Sequence, residues 1–263
     1  MILLSFDIEE FDMPFEYGKT ISFADQLSIS TEGTKKILAL LKQHQVKATF
    51  YCTANYALNK PDIIEKIVAD GHEIASHGYY HSDFKVEHLR QSKEALEQLT
   101  GLQVSGYRMA RMMPVDEQEI FKAGYVYNSS INPTWLPGRY NNFNKPRTWF
   151  FKDQVLQLPS SVTPVVRFPL FWLTFHNLPL NLIQWLCYRT YKKDGYLNLY
   201  FHPWEFTNLN QPDRFNFPNY VVKKTGDSFV NRISKFINWA KSKNLNFSTT
   251  NDFLKTNIIK EVV

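Results

Sequence analysis

Short runs of consecutive apolar residues alternate, from the first residue onward, with stretches in which apolar positions recur every three to four residues. Ile2–Phe6 is a run of the first kind and reads as a buried strand. In Thr31–Gln43 the residues Ile37, Leu38, Leu40 and Leu41 share a helical face, with Ser30 or Thr31 available as the cap. The pattern predicts further strands over Lys47–Thr53, Glu73–Ser76, Val104–Met109, Tyr125–Tyr127, Tyr196–Phe201 and Asn246–Thr249. It predicts helices over Pro61–Ala69, Val86–Leu99, Asp116–Lys122, Leu180–Tyr191 and Phe229–Ser242. Pro61 falls in a first turn, and Gly71 and Gly101 follow helix ends, the positions each residue type favours. Strand and helix in alternation predict an α/β fold with a largely parallel sheet, and roughly seven such units suggest a barrel.

The middle of the chain is less regular. Asn132–Pro146, rich in Asn, Pro, Gly and Arg, reads as a loop. No linker, repeat or low-complexity tract appears, so residues 1–263 are expected to form a single domain with an aromatic-rich insertion around 132–191. Within it, the stretch from Val165 to Tyr191 is unusually apolar. It either packs over the barrel or rests on a membrane surface.

Four polar clusters fall at the ends of successive expected strands. Asp7-Ile8-Glu9-Glu10-Phe11-Asp12 follows the first, and strand alternation points Asp7 and Glu9 to one face. Carboxylates at a strand's C-terminal end occupy an α/β active-site position, although an acidic segment is more often simply a solvated loop. Ser76-His77-Gly78-Tyr79-Tyr80-His81 follows another strand. A spacing of four turns both rings to one side in a helix or an extended strand, so they can converge on one metal. Seven His in this chain give ~0.2 accidental pairs at that spacing, so the pair alone is a moderate signal. Two imidazoles and a carboxylate form a common open site for zinc or another transition metal. Arg108, in Gly106-Tyr107-Arg108-Met109-Ala110, is placed to pair with Asp7; a surface arginine is the plain alternative. In Tyr200-Phe201-His202-Pro203-Trp204-Glu205, His202 suits a proton donor and Trp204 a sugar-stacking platform, against the ordinary reading of a core histidine. His72 reads as structural, and His44, His88 and His176 have no partner pattern.

Composition narrows this picture. At 263 residues the chain is long enough for one well-buried core. The charge of +5, from 30 basic and 25 acidic residues, contains no basic run of the kind that binds nucleic acid. Cys52 and Cys187 make neither a disulfide framework nor a zinc spacing. The first apolar stretch is too short for a signal peptide, and no segment approaches the ~18 charge-free apolar residues of a membrane span. A cytoplasmic protein, free or peripheral to the inner membrane, is the expectation. Oligomeric state is left open.

The clusters resemble, in their order, the motifs of the polysaccharide deacetylases, the NodB-homology group or carbohydrate esterase family four. The resemblance runs through Ser5–Glu9, Gly71–His81, Gly106–Arg108, Tyr200–Glu205 and the closing Ser248–Leu254, over about residues 2 to 255. It implies a distorted seven-stranded β/α barrel and a carbohydrate substrate. It implies Asp7 as general base, His202 as general acid and Arg108 as the residue that positions Asp7. Glu9, His77 and His81 would hold a divalent metal, zinc being the expected ion. Trp204, Glu205 and Tyr107 are the expected substrate contacts. Many members carry adjacent aspartates; this chain has the Asp-x-Glu spacing of a subset, with Glu9 as the ligand and Glu10 the alternative. The loop after Arg108 reads Met-Ala-Arg111-Met-Met-Pro114 in place of the usual Pro-Tyr, which leaves the oxyanion donor and substrate choice open. The implied reaction removes an N-acyl group, an acetyl by expectation, from an amino sugar of a polysaccharide or its lipid-linked precursor. The alternatives are a related amide hydrolase of the allantoinase or deformylase kind, and a degenerate carbohydrate-binding protein.

Overall fold

The computed structural model describes residues 1–258. Among these residues eleven strands occur in chain order: β1 (Ile2–Ile8), β2 (Thr49–Cys52), β3 (Glu73–Ser76), β4 (Gly106–Tyr107), β5 (Tyr127–Asn128), β6 (Trp135–Leu136), β7 (Tyr140–Asn141), β8 (Phe150–Lys152), β9 (Val155–Gln157), β10 (Leu197–Phe201) and β11 (Phe247–Ser248). Seven of them pair side by side and parallel in the order β10-β1-β2-β3-β4-β5-β9. β8 adds to β9 antiparallel, and β11 pairs with the first residues of β1. Between the two ends of this curled sheet, Ser161 N donates to Asn198 O and Asn198 N to Ser161 Oγ, both at 2.9 Å. The seam is thus bridged by hydrogen bonds, not by a ladder. The fold is the distorted seven-stranded β/α barrel that the motifs imply.

The strands read as apolar runs because both faces are covered. Every residue of β1 and of β10 is buried. The main core lies between sheet and helices, where Leu4, Phe6, Phe50, Phe201, Phe229 and Phe236 pack together. The helix over Pro61–Ala69 and strand β3 have the bounds expected from sequence. Gly101 closes the helix Glu87–Thr100 in the left-handed conformation, φ 67°.

Several expectations are corrected. The first long helix begins at Phe23, with Ser22 accepting from Asp25 N; Ser30 and Thr31 lie inside it and bond elsewhere, Ser30 to Glu9 O and Thr31 to the Tyr56 hydroxyl. The polar residues of its first two turns hid that start. The region 132–191 is not wholly an insertion, because β9 within it is a barrel strand; three residues are too few to display a period. The expected loop 132–146 contains the hairpin β6–β7. Residues 77–81 form neither helix nor strand. They turn at Gly78, φ 89°, and the turn brings the two imidazoles together.

Candidate active site

Parallel pairing brings four strand ends to one edge of the barrel. Asp7 is the penultimate residue of β1, and Glu9 follows it on the same face. His77 follows β3, Arg108 follows β4 and His202 follows β10. A cleft of about 300 Å³ opens over these ends, lined by Asp7, Glu9, His77, His81 and His202 among others. This is the C-terminal face, where parallel barrels place their chemistry.

Arg108 is fully buried and Asp7 is 2% exposed. Arg108 Nη1 donates to Asp7 Oδ1 at 2.6 Å and to Ser5 Oγ at 2.9 Å. Its remaining nitrogens donate to Ser129 O and Ser129 Oγ, and the guanidinium lies 3.9 Å over the Tyr51 ring. Fixed on every side, Arg108 holds Asp7 by one oxygen. The other, Oδ2, faces His202 Nε2 at 4.0 Å.

Glu9 Oε2 lies 3.2 Å from His77 Nε2 and 3.0 Å from His81 Nε2. Donor atoms of these three residues fall within 4.8 Å of one another. Each ring is anchored by its other nitrogen, His77 Nδ1 to Arg108 O at 2.9 Å and His81 Nδ1 to Asp12 Oδ1 at 2.9 Å. This is how metal-binding imidazoles are commonly oriented, with the free Nε2 atoms directed inward. Burial raises the Glu9 carboxyl, but the charge of His81 and hydrogen bonds from both histidines outweigh it and hold Glu9 well below the carboxylate range. Burial also opposes charge on His81, yet Glu9 and Asp12 push it up to about 10. Two imidazole nitrogens and a carboxylate oxygen converging on one point form a donor set that fits a divalent ion. Glu10 is turned away: Thr53 Oγ1 and Asn55 Nδ2 donate to its two oxygens. Between the two carboxylates, only Glu9 faces the histidines.

His202 Nδ1 lies 3.0 Å from Glu205 Oε1, which also accepts from the His202 backbone N–H. The other oxygen of Glu205 meets His176 Nε2 at 2.9 Å. Burial alone would lower His202, but the Glu205 hydrogen bond and the Glu9, Glu205 and Asp7 charges raise it above its ordinary value. Nε2, the nitrogen that faces the cleft, is therefore kept protonated to higher pH.

The expected substrate contacts fare less well. Tyr107 is fully buried, and its hydroxyl donates to Met109 Sδ. Glu205 is fully buried between two histidines. Both serve the interior because their side chains face away from the cleft. Trp204 lines the cleft but is 4% exposed, stacked on His202 with ring centroids 5.3 Å apart and flanked by Trp172 and Phe11. It buttresses His202 and does not offer a free face to a sugar. The accessible aromatics of the cleft are Tyr17, Tyr140, Trp172 and Tyr220. None carried a sequence signal beyond aromaticity. His176 and Asp12 were also missed as site residues, the first because its partner is 29 positions away, the second because it closes an acidic run read as two carboxylates.

Comparisons with known proteins bear on part of the sequence and on the fold. The polysaccharide deacetylase family model matches residues 15–112. The uncharacterized protein YlxY of Bacillus subtilis (strain 168) is 35% identical over 89 residues, 31% of this chain and 28% of that one. A chitooligosaccharide deacetylase of Bradyrhizobium sp. (strain ANU 289) is 44% identical over 50 residues, 19% of this chain and 23% of that one. The chain thus matches only about a quarter of the length of these curated relatives. Across the whole fold, a candidate polysaccharide deacetylase from Mycobacterium smegmatis superposes with a TM-score of 0.67 at 16% identity, covering 100% of this chain and 91% of that one. The chain is thus similar to the polysaccharide deacetylases over residues 15–112 in sequence and across its length in fold.

Proposed function

We propose that the protein is a metal-dependent hydrolase that removes an N-acyl group, acetyl in the first instance, from an amino sugar. The observation that carries this reading is the meeting, at one barrel mouth, of an Arg-held carboxylate, a Glu-His-His donor set and a His-Glu pair. Glu9, His77 and His81 would hold the ion; zinc suits two imidazoles and a carboxylate. When bound, it supplies Lewis acidity that polarises the acyl carbonyl and acidifies water.

The chain's own groups do the rest. Asp7 presents Oδ2 as general base and takes the proton of the attacking water, while Arg108 prevents its rotation. His202, with Nδ1 held by Glu205, delivers its Nε2 proton to the departing amine nitrogen, which leaves poorly as an anion. Burial excludes bulk water from the Asp7–Arg108 pair and so strengthens its field. Tyr17, Tyr140 and Trp172 give the cleft apolar faces on which a pyranose ring can lie. The carbohydrate is proposed as part of a polysaccharide or of its lipid-linked precursor.

The test is acetate release from N-acetylglucosamine oligomers. The reading expects release that stops on chelation and returns with a divalent ion. Hydrolysis indifferent to chelation, or a metal-loaded protein inert on every N-acylated amino sugar, argues against it.

A further inference from the structure

The basic charge of the protein is concentrated in one segment. Residues 131–193 contain eight Lys and Arg and the single acid Asp153, whereas the rest of the chain has 24 acids against 22 bases. The same segment exposes apolar side chains, notably Val165 at 89%, Val166 at 70%, Trp135 at 61% and Phe143 at 46%. These four belong to one surface. Thr134 Oγ1 donates to Arg167 O, Arg167 Nη1 donates to Pro133 O and Lys145 O, and the Arg167 guanidinium lies 5.2 Å over the Phe143 ring. The hairpin β6–β7 and the loop 163–168 are thereby tied together.

The loop holds its apolar tip outward at a cost. Val165 has φ 67° and Arg167 φ 53°, in a left-handed region that β-branched residues in particular avoid. Among the described residues nothing covers the two valines that this conformation presents. Arg139, Lys145 and Arg167 form no ion pair with a carboxylate among the described residues. The patch adjoins the cleft: Arg139 and Tyr140 of the hairpin, and Phe171 and Trp172 just after the loop, line its wall.

We propose that this face docks on an anionic lipid surface, with Val165, Val166 and Trp135 entering the headgroup boundary and the basic side chains meeting lipid phosphates. Apolar tips set among unpaired cations match that interface in both hydrophobicity and sign. A polysaccharide would be met by polar and flat aromatic groups and offers no partner for a pair of exposed valines. Docking of this kind would turn the cleft mouth toward the membrane, where a lipid-linked glycan is presented. That consequence rests on the proposed activity; the docking itself does not.

Vesicle co-sedimentation of the full chain tests it without turnover. The protein is expected to pellet with phosphatidylcholine vesicles containing phosphatidylglycerol, to pellet less with phosphatidylcholine alone, and to be released by salt. Val165→Ser with Val166→Ser should weaken binding by roughly tenfold or more. Both positions are exposed, so the variant should keep the unfolding temperature of the parent and its acetate release from soluble oligomers. Equal sedimentation with neutral and anionic vesicles, no sedimentation with either, or undiminished binding by the double variant would overturn the proposal. Failure of acetate release by the parent with intact vesicle binding would instead count against the proposed activity and leave the docking face standing.

Discussion

Two carboxylates, Glu205 and Asp12, each act on the site through a histidine they hold by Nδ1. Glu205 raises His202 above the ordinary imidazole value, so the proton on Nε2 persists to higher pH and is lost as pH rises through that raised value. Activity should therefore fall on an alkaline limb above the ordinary histidine range. Glu205→Gln keeps the size but removes a negative charge, and the limb should move to lower pH in a profile of kcat against pH. An unmoved limb would assign it to another group. Asp12 acts on the metal site in the same indirect way. By holding His81 Nδ1 at 2.9 Å it fixes the ring and raises its basicity, so Asp12→Asn should weaken metal binding by ~10–100-fold, measured by competition with a chelating dye. Glu10→Gln, with its carboxylate bound by Thr53 and Asn55, should leave metal affinity near that of the parent. These residues also mark what the sequence disclosed. The gathering of Asp7, Glu9, His77, His81, Arg108 and His202 at one edge was legible because each lies at or within a few residues of a strand end in a recognisable motif. Asp12, His176 and the cleft aromatics owe their places to packing between distant segments, which no local pattern records.

Elements hold the site through close contacts. The helix Phe23–Gln43 crosses the turn Pro203–Phe206 at Gly33, where a Cβ would collide with the backbone carbonyl of Pro203. Gly33→Ala must push the turn, and with it His202, away from Asp7. A loss of about 1–3 kcal/mol in denaturant unfolding is expected, with turnover reduced beyond what the folded fraction explains. At the other end of the barrel, His72 accepts from Ala48 N, linking β3 to β2. Burial and Lys47 lower its pKa to about 4 from an ordinary 6.5. The folded protein then binds fewer protons than the unfolded chain between those values, so the His72 contribution is complete above pH 6.5 and is lost as pH falls toward 4. His72→Asn keeps an acceptor without the titration, and its stability, measured by urea unfolding, should depend less on pH in that window. Strong periods and caps made the helices readable. The barrel strands β4 and β5 were expected within longer apolar runs than the two residues that pair, whereas β9, of three residues, is defined by pairing with its neighbours and had little local signature.

For the whole molecule, the site joins residue 7 to residue 202 through one sheet, and the seam between β9 and β10 is bridged by Ser161 and Asn198, whose side-chain amide also donates to Leu158 O and Pro159 O. A single domain is the natural proposal. Limited proteolysis should cut first within 132–146 or 207–219 and should not release two independently stable halves. Parallel order and strand-end chemistry were inferable from alternation, because α/β units have few ways to pack. Closure of the barrel was implied by the motif resemblance and not by periodicity, since the seam depends on side-chain and single backbone hydrogen bonds. The central claim is that this assembly hydrolyses an amide with Asp7 as base. Its most direct test compares acetate release from an N-acetylated amino-sugar oligomer by the parent and by Asp7→Asn, matched for bound metal. The parent is expected to release acetate steadily and the variant ~10²–10⁴-fold more slowly with metal retained. Equal rates in the two proteins would contradict it.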